Sequence, residues 1–148
     1  MLPSVIESEE LASVLAAWAS EVDSQSFEEP LMSLAPLVYK DFDSHFMNAQ
    51  GPDGPWAPRK HSYPNPILIK SGKLIYAAAT KDGAGTILRY REGALEFGVD
   101  GSVVNYAGFH EYGTQFMPAR PWAYLSENAI EEVAVKLLDA LFLLLIGD

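Results

Sequence analysis

Three histidines, His45, His61 and His110, are the groups in this sequence able to exchange a proton near neutral pH. Glu111 follows His110 directly, and a base beside a carboxylate has the residue types of an acid/base pair for hydrolysis. On a helix, however, adjacent residues point about 100° apart, so the two do not converge on one substrate without unusual geometry. No second histidine stands at metal-ligand spacing from any of the three. There is no cysteine to supply a thiolate ligand, a nucleophile or a disulfide. The glycines of Asp82-Gly83-Ala84-Gly85-Thr86 lack the lysine, the spacing and the helix start of a phosphate-binding loop. No serine lies in a nucleophile-elbow pattern. The expectation is a non-enzyme with no cofactor and no metal, His110 being held by local hydrogen bonds. A hydrolase using His110 and Glu111 is the alternative.

A second set of residues has the chemistry of contact. Pro118 and Pro121 flank Ala119-Arg120, which fixes an extended arm and lowers the entropy lost in ordering it. Arg120 is thereby offered with little freedom for a bidentate carboxylate contact, and Glu111 is a candidate partner in the same chain or the next. Gly113 is placed to take a positive φ and close a short helix over 106–112, running from Tyr106 past His110. Trp122 adds a large apolar anchor. Trp56, in a proline-rich stretch, either tucks onto the core or contacts a partner. The 106–122 block fits two uses: a buttress at a subunit interface, or an intrachain latch that fastens the last helix.

The elements that must position these groups are readable from apolar periodicity. Ser4-Val5-Ile6-Glu7 matches a capping box, and Leu11, Val14, Leu15, Trp18 and Val22 form one face of a helix over roughly 5–22. A second helix is expected over about 33–47, with Ser33 as its cap, Pro36 in its first turn, and Leu34, Val38, Phe42 and Phe46 facing inward. Gln50-Gly51-Pro52-Asp53-Gly54-Pro55 ends it and opens a stretch with five prolines up to Pro66. Ile67-Leu68-Ile69 and Thr86 to Arg91 are candidate strands. Leu95, Phe97 and Val99 alternate with Glu96 and Gly98, and Arg91-Glu92-Gly93 makes the intervening turn. Leu74 to Ala79 fits helix or strand, and Lys81 to Gly85 is a loop. The last helix begins near Ser126, with Ile130, Val133, Leu137, Leu138, Leu141, Leu144 and Leu145 carrying it into the core. Its end, Leu141 to Ile146 and including Phe142, is apolar on every side and must be covered by the core or by another subunit.

Together these elements predict an α+β fold, with amphipathic helices packed on a small antiparallel sheet and a long C-terminal helix. The 148 residues read as a single domain, 1–148. It divides into an acidic helical part (1–50), a proline-rich arm (51–66), a β-rich part (67–125) and the C-terminal helix (126–148). With 49% apolar residues the chain is globular. Its net charge of −10 is unevenly spread. Residues 1–50 carry nine acids against Lys40 alone. Residues 51–99 carry seven bases against four acids, and residues 100–148 return to a net −5. That balance disfavours wrapping nucleic acid, which rewards a basic face. The acidic end and basic middle either attract each other between neighbouring subunits or are solvated faces. No secretory signal pattern opens the chain, and its longest apolar run, Ala140 to Ile146, is far short of the roughly 20 residues needed to cross a bilayer.

Two blocks carry a family resemblance. The first is Phe46 to Pro58, with its Pro52-Asp53-Gly54-Pro55-Trp56 core, followed by Ile67-Leu68-Ile69-Lys70-Ser71-Gly72-Lys73-Leu74. The second is Tyr106-Ala107-Gly108-Phe109-His110-Glu111-Tyr112-Gly113-Thr114, then Met117-Pro118-Ala119-Arg120-Pro121-Trp122. In order and spacing these resemble the phage virion-morphogenesis, or tail-completion, family over about residues 30–140. Trp122 stands where that pattern has Phe more often, and Glu111 where Gln is usual. The resemblance implies a structural neck or tail subunit that completes the tail and joins it to the head through a ring-like homo-oligomer with hexameric symmetry. It implies partners among neighbouring tail and neck or connector proteins, DNA that passes without being specifically bound, and no membrane. The location implied is the virion neck or tail, with the host cytoplasm during assembly. A head-side capsid assembly factor is the alternative in the same class. A host-protein binder using Trp56 and the 51–66 arm is another.

Overall fold

The structure, a computed structural model, describes residues 27–146 together with Glu9, Ala12, Ser13, Ala16, Ala17 and Ser20, and those six are helical. The rest of the helix expected over 5–22, with its capping box, lies outside the described residues. Helix α1 (Glu28–Met32) leads into α2 (Ala35–Asn48), whose Ala35, Val38, Tyr39, Phe42 and Phe46 recur every three or four residues and are all buried. Ser33 does not cap α2. Its hydroxyl donates to the Pro30 carbonyl at 2.6 Å, satisfying an orphan acceptor of α1, while Leu34 takes the N-cap position and Pro36 sits in the first turn.

After α2 the chain makes a tiny hairpin, β1 (Gln50–Gly51) with β2 (Gly54–Pro55), and Trp56 is drawn into the core. Ile67-Leu68-Ile69 is a turn and not a strand. Leu68 has φ 65°, and the Ile69 N–H donates to the Pro66 carbonyl at 3.2 Å, so the donor a ladder would need is used locally. The three side chains still pack on the core, delivered by the turn. The ambiguous segment is a helix, α3 (Lys73–Ala79), which buries Leu74, Ala77 and Ala78 on one face. The sheet is the antiparallel hairpin of β3 (Thr86–Arg91) and β4 (Ala94–Val99), in register from Thr86↔Val99 to Arg91↔Ala94. Glu92 and Gly93, at φ 50° and 79°, form the two-residue turn whose twist suits a hairpin. Arg89 and Glu96 pair across it.

The core gathers around α2. Tyr39 and Phe42 meet Phe97 of β4 edge-on at 5.4 and 6.1 Å, and Phe46 meets Trp56 at 5.6 Å. Trp122 closes the cluster at 6.0 Å from both Phe42 and Phe46. Such ring pairs each add about 0.5–1.5 kcal/mol beyond area burial. Helix α4 (Ala107–Tyr112) packs beside this cluster through Ala107 and Tyr106. Helix α5 (Glu127–Ile146) packs on α2 and α1. It turns Ala129, Val133, Leu137, Ala140, Leu141 and Leu144 toward the body. Ile130 and Leu138, expected in the core, are 53% and 67% exposed. A helix apolar all round carries no periodicity to say which side faces in. The architecture is α+β, with two small antiparallel sheets and a long C-terminal helix. Among the described residues no helix is long and apolar enough to cross a membrane.

Candidate functional site

The 106–122 block is fastened to the body by its own side chains. Arg120 is buried; its Nε donates to the Ala57 carbonyl at 2.8 Å and its Nη2 to the Pro58 carbonyl at 3.1 Å. Its N–H donates to the His110 carbonyl at 2.7 Å, so one residue ties together α4, the proline-flanked arm and the segment after Trp56. Glu111 does not pair with Arg120 within the chain. Its Oε2 accepts the Trp122 and Ala123 N–H groups at 2.9 and 3.2 Å. Trp56 donates its indole N–H to the Pro121 carbonyl at 2.8 Å, and both it and Trp122 are buried in this chain. Gly113 ends α4 at φ 73°, and a Cβ there would lie 2.7 Å from the Ala119 nitrogen. Only glycine lets the arm lie so close to the helix end. What the block presents outward is Phe109, Tyr112 and Phe116, which are 57%, 84% and 81% exposed.

His110 and Glu111 diverge. Glu111 serves the arm, whereas His110 faces a cavity of about 460 Å³ whose walls include Arg59, Lys70, Tyr106 and Arg120. His110 Nδ1 is buried without a hydrogen-bond partner among the described residues, and Tyr106 stands edge-on to the ring at 5.7 Å. Burial, and then the neighbouring Arg120 charge, hold the imidazole below its ordinary pKa, so it is neutral at neutral pH. Burial, and then Arg59, likewise disfavour the Arg120 cation. Arg59 is anchored through Nη2 to the Asn65 and Tyr63 carbonyls at 2.5 and 3.2 Å and lies 5.3 Å from the Tyr63 ring centre. Among the described residues no acidic side chain lines the cavity. Residue-by-residue inspection of the sequence does not single out Arg59 and Lys70. The surplus of bases over 51–99 is the signal that marks them.

A second polar cluster was likewise hidden by sequence distance. Asp41 of α2 accepts the Ser126 hydroxyl at 2.6 Å and the Ser126 N–H at 2.8 Å, and Ser126 Oγ accepts the Ala129 N–H at 3.2 Å. Ser126 thus caps α5 while a buried carboxylate holds it from 85 residues away. His45 stacks on Tyr124 at 3.9 Å and places Nε2 2.9 Å from the Tyr124 carbonyl and 3.2 Å from Asp41 Oδ2. A Ser, a His and an Asp meet here, but the serine proton points at the aspartate and not at the imidazole. The order of contacts is that of a structural clamp and not of a nucleophile activated by its base. Among the described residues no three His, Asp or Glu side chains gather as a metal site.

One relative comes from a prophage. Over 64 residues the chain is 33% identical to Mu-like prophage FluMu G protein 1 of Haemophilus influenzae. The match covers 43% of this chain and only 42% of that protein's length. No family model matches the chain, and no solved structure does.

Proposed function

We propose that this protein is a structural or morphogenesis subunit of a tailed phage or prophage, acting at the tail end of the head–tail junction. It completes the tail and joins it to the head through a ring of identical copies, hexameric in the reading the sequence blocks favour. The observation that carries the reading is the 33% identity over 64 residues with a Mu-like prophage protein. The two sequence blocks give it its tail-completion form. The fold supplies a device suited to assembly. Arg120, Glu111, Trp122 and Gly113 fasten helix α4 and the turn after it, which hold Phe109, Tyr112 and Phe116 in solvent, and a preformed aromatic surface loses little entropy on binding. Helix α5 adds exposed Leu138, Phe142 and Leu143 along a second surface. On this reading the working location is the virion, the partners are other copies and the adjoining tail and neck proteins, and no catalysis is involved. His110 and Glu111 turn to different tasks, which speaks against the hydrolase alternative.

The test is electron microscopy of lysates from a phage or induced prophage with a stop codon early in this gene. Full heads beside detached or unfinished tails are expected. Normally joined particles overturn the reading, and a failure to make filled heads moves the protein to the capsid side.

A further inference from the structure

The cavity beside α4 carries a positive charge that no acidic side chain among the described residues balances. Arg120 is 7% exposed, its side-chain hydrogen bonds go to main-chain carbonyls, and its Nη1 makes none with any described residue. Two carbonyl acceptors offset part of the cost of burying this guanidinium, and an anion in the cavity would offset the rest. Arg59 and Lys70 stand at the same cavity, and among the described residues neither forms an ion pair. The His110 imidazole lines the same cavity, and its buried Nδ1 has no partner among the described residues. The walls between these groups are Ile67, Leu68 and the Tyr106 ring, apolar surface suited to the methylene stem of an acidic side chain. A site of this composition takes a carboxylate on an aliphatic stem, gripped by a guanidinium and an ammonium.

We infer that the cavity bounded by Arg59, Lys70, His110 and Arg120 is a docking socket for glutamate or aspartate side chains from the acidic N-terminal segment of a neighbouring copy of this chain. Charge complementarity names the occupant. Residues 1–29 hold seven acids and no Lys, Arg or His, the most one-sided stretch in the sequence, and the socket draws Arg59 and Lys70 from its basic middle and Arg120 from beyond it. A nucleic-acid backbone is the poorer fit. It needs an extended basic face, and here the cations converge on one concavity in a protein of net charge −10. The inference rests on the self-assembly reading for where the segment comes from, but the carboxylate chemistry of the socket can be tested without it.

The probe is a synthetic peptide of residues Val5 to Gln25, titrated calorimetrically into the full-length protein, beside a version with its five acids changed to Gln or Asn. The acidic peptide should bind, its affinity falling steeply with added salt, and the neutral one should bind at least tenfold more weakly. Lys70→Glu, at an exposed position whose side chain makes no ion pair among the described residues, should weaken the acidic peptide at least tenfold. The socket is overturned if the acidic peptide does not bind, if the neutral peptide binds as well, or if Lys70→Glu binds like the wild type. It is also overturned if a short DNA oligonucleotide displaces the acidic peptide at lower concentration. Sedimentation of the full-length protein separates this from the ring. Peptide binding by a chain that stays monomeric keeps the socket and removes the ring. Rings that form equally well with Lys70→Glu keep the ring and remove the socket.

Discussion

Arg120 commits two guanidinium nitrogens to the carbonyls of Ala57 and Pro58, and its own N–H to His110. Truncation to Ala strands those carbonyls and should cost about 2–4 kcal/mol in urea unfolding, since hydrogen bonds to a charged donor are worth about 1.5–3 kcal/mol each. Lys should not rescue it, because a single ammonium cannot reproduce the planar fork that reaches both acceptors. A full rescue by Lys would show that charge alone matters there. The neighbouring His110 gives the protein a pH signature. Its folded-state pKa lies below the ordinary 6.5, so the unfolded chain takes up the proton first as the pH falls. The stability gained from holding His110 neutral is therefore complete above about 6.5 and declines as the pH drops toward the folded-state value. Urea midpoints compared at neutral and mildly acidic pH should fall more for the wild type than for His110→Gln. Equal losses would mean the imidazole is solvated after all.

At the level of elements, the local patterns told where helices and strands run but not how they are tied. The face of α2, the β3–β4 hairpin with its Glu92-Gly93 turn, and the start of α5 all follow from side-chain periodicity and turn chemistry, which act over a few residues. Ile67-Leu68-Ile69 misleads because an apolar triplet reads the same whether it is a strand or a turn that tucks its side chains inward. The clamp from Asp41 to Ser126 and the clasp from Arg120 to Ala57 join residues more than 60 positions apart, and no local pattern encodes such pairs. These long-range ties make separate predictions. Asp41→Ala removes both bonds to Ser126 and the carboxylate facing His45, so it should cost about 2–3 kcal/mol. Amide exchange should then quicken most along α5, while a uniform rise across the chain would point to global loss instead. Gly113→Ala meets the backbone of Ala119 as well as a φ, ψ of 73° and 176° that is essentially glycine's own, so it should destabilise by more than the ~1–3 kcal/mol of backbone strain alone.

Taken as a whole, the molecule keeps an interior of aromatic rings around α2 yet leaves much of α5 apolar surface in water. Ile130, Val135, Leu138, Phe142, Leu143 and Ile146 are each more than half exposed over two and a half times the length of a heptad. Soluble monomers rarely leave a stripe of this kind uncovered, whereas a subunit of a ring buries it against the next copy. Self-repulsion at a net charge of −10 opposes indiscriminate sticking, so association has to rely on matched surfaces. The double change Leu138→Lys with Phe142→Lys tests whether α5 is one of them. Both side chains point into solvent, so urea stability should stay within about 0.5 kcal/mol of the wild type. If the proposed ring is built on α5, two lysines placed in the middle of its apolar contact would have to be desolvated without partners, and sedimentation should show monomers. Rings that persist in the double variant would release α5 from the contact and leave the aromatic trio Phe109, Tyr112 and Phe116 to carry it. A variant that fails to fold would mean instead that these side chains cover part of the same chain.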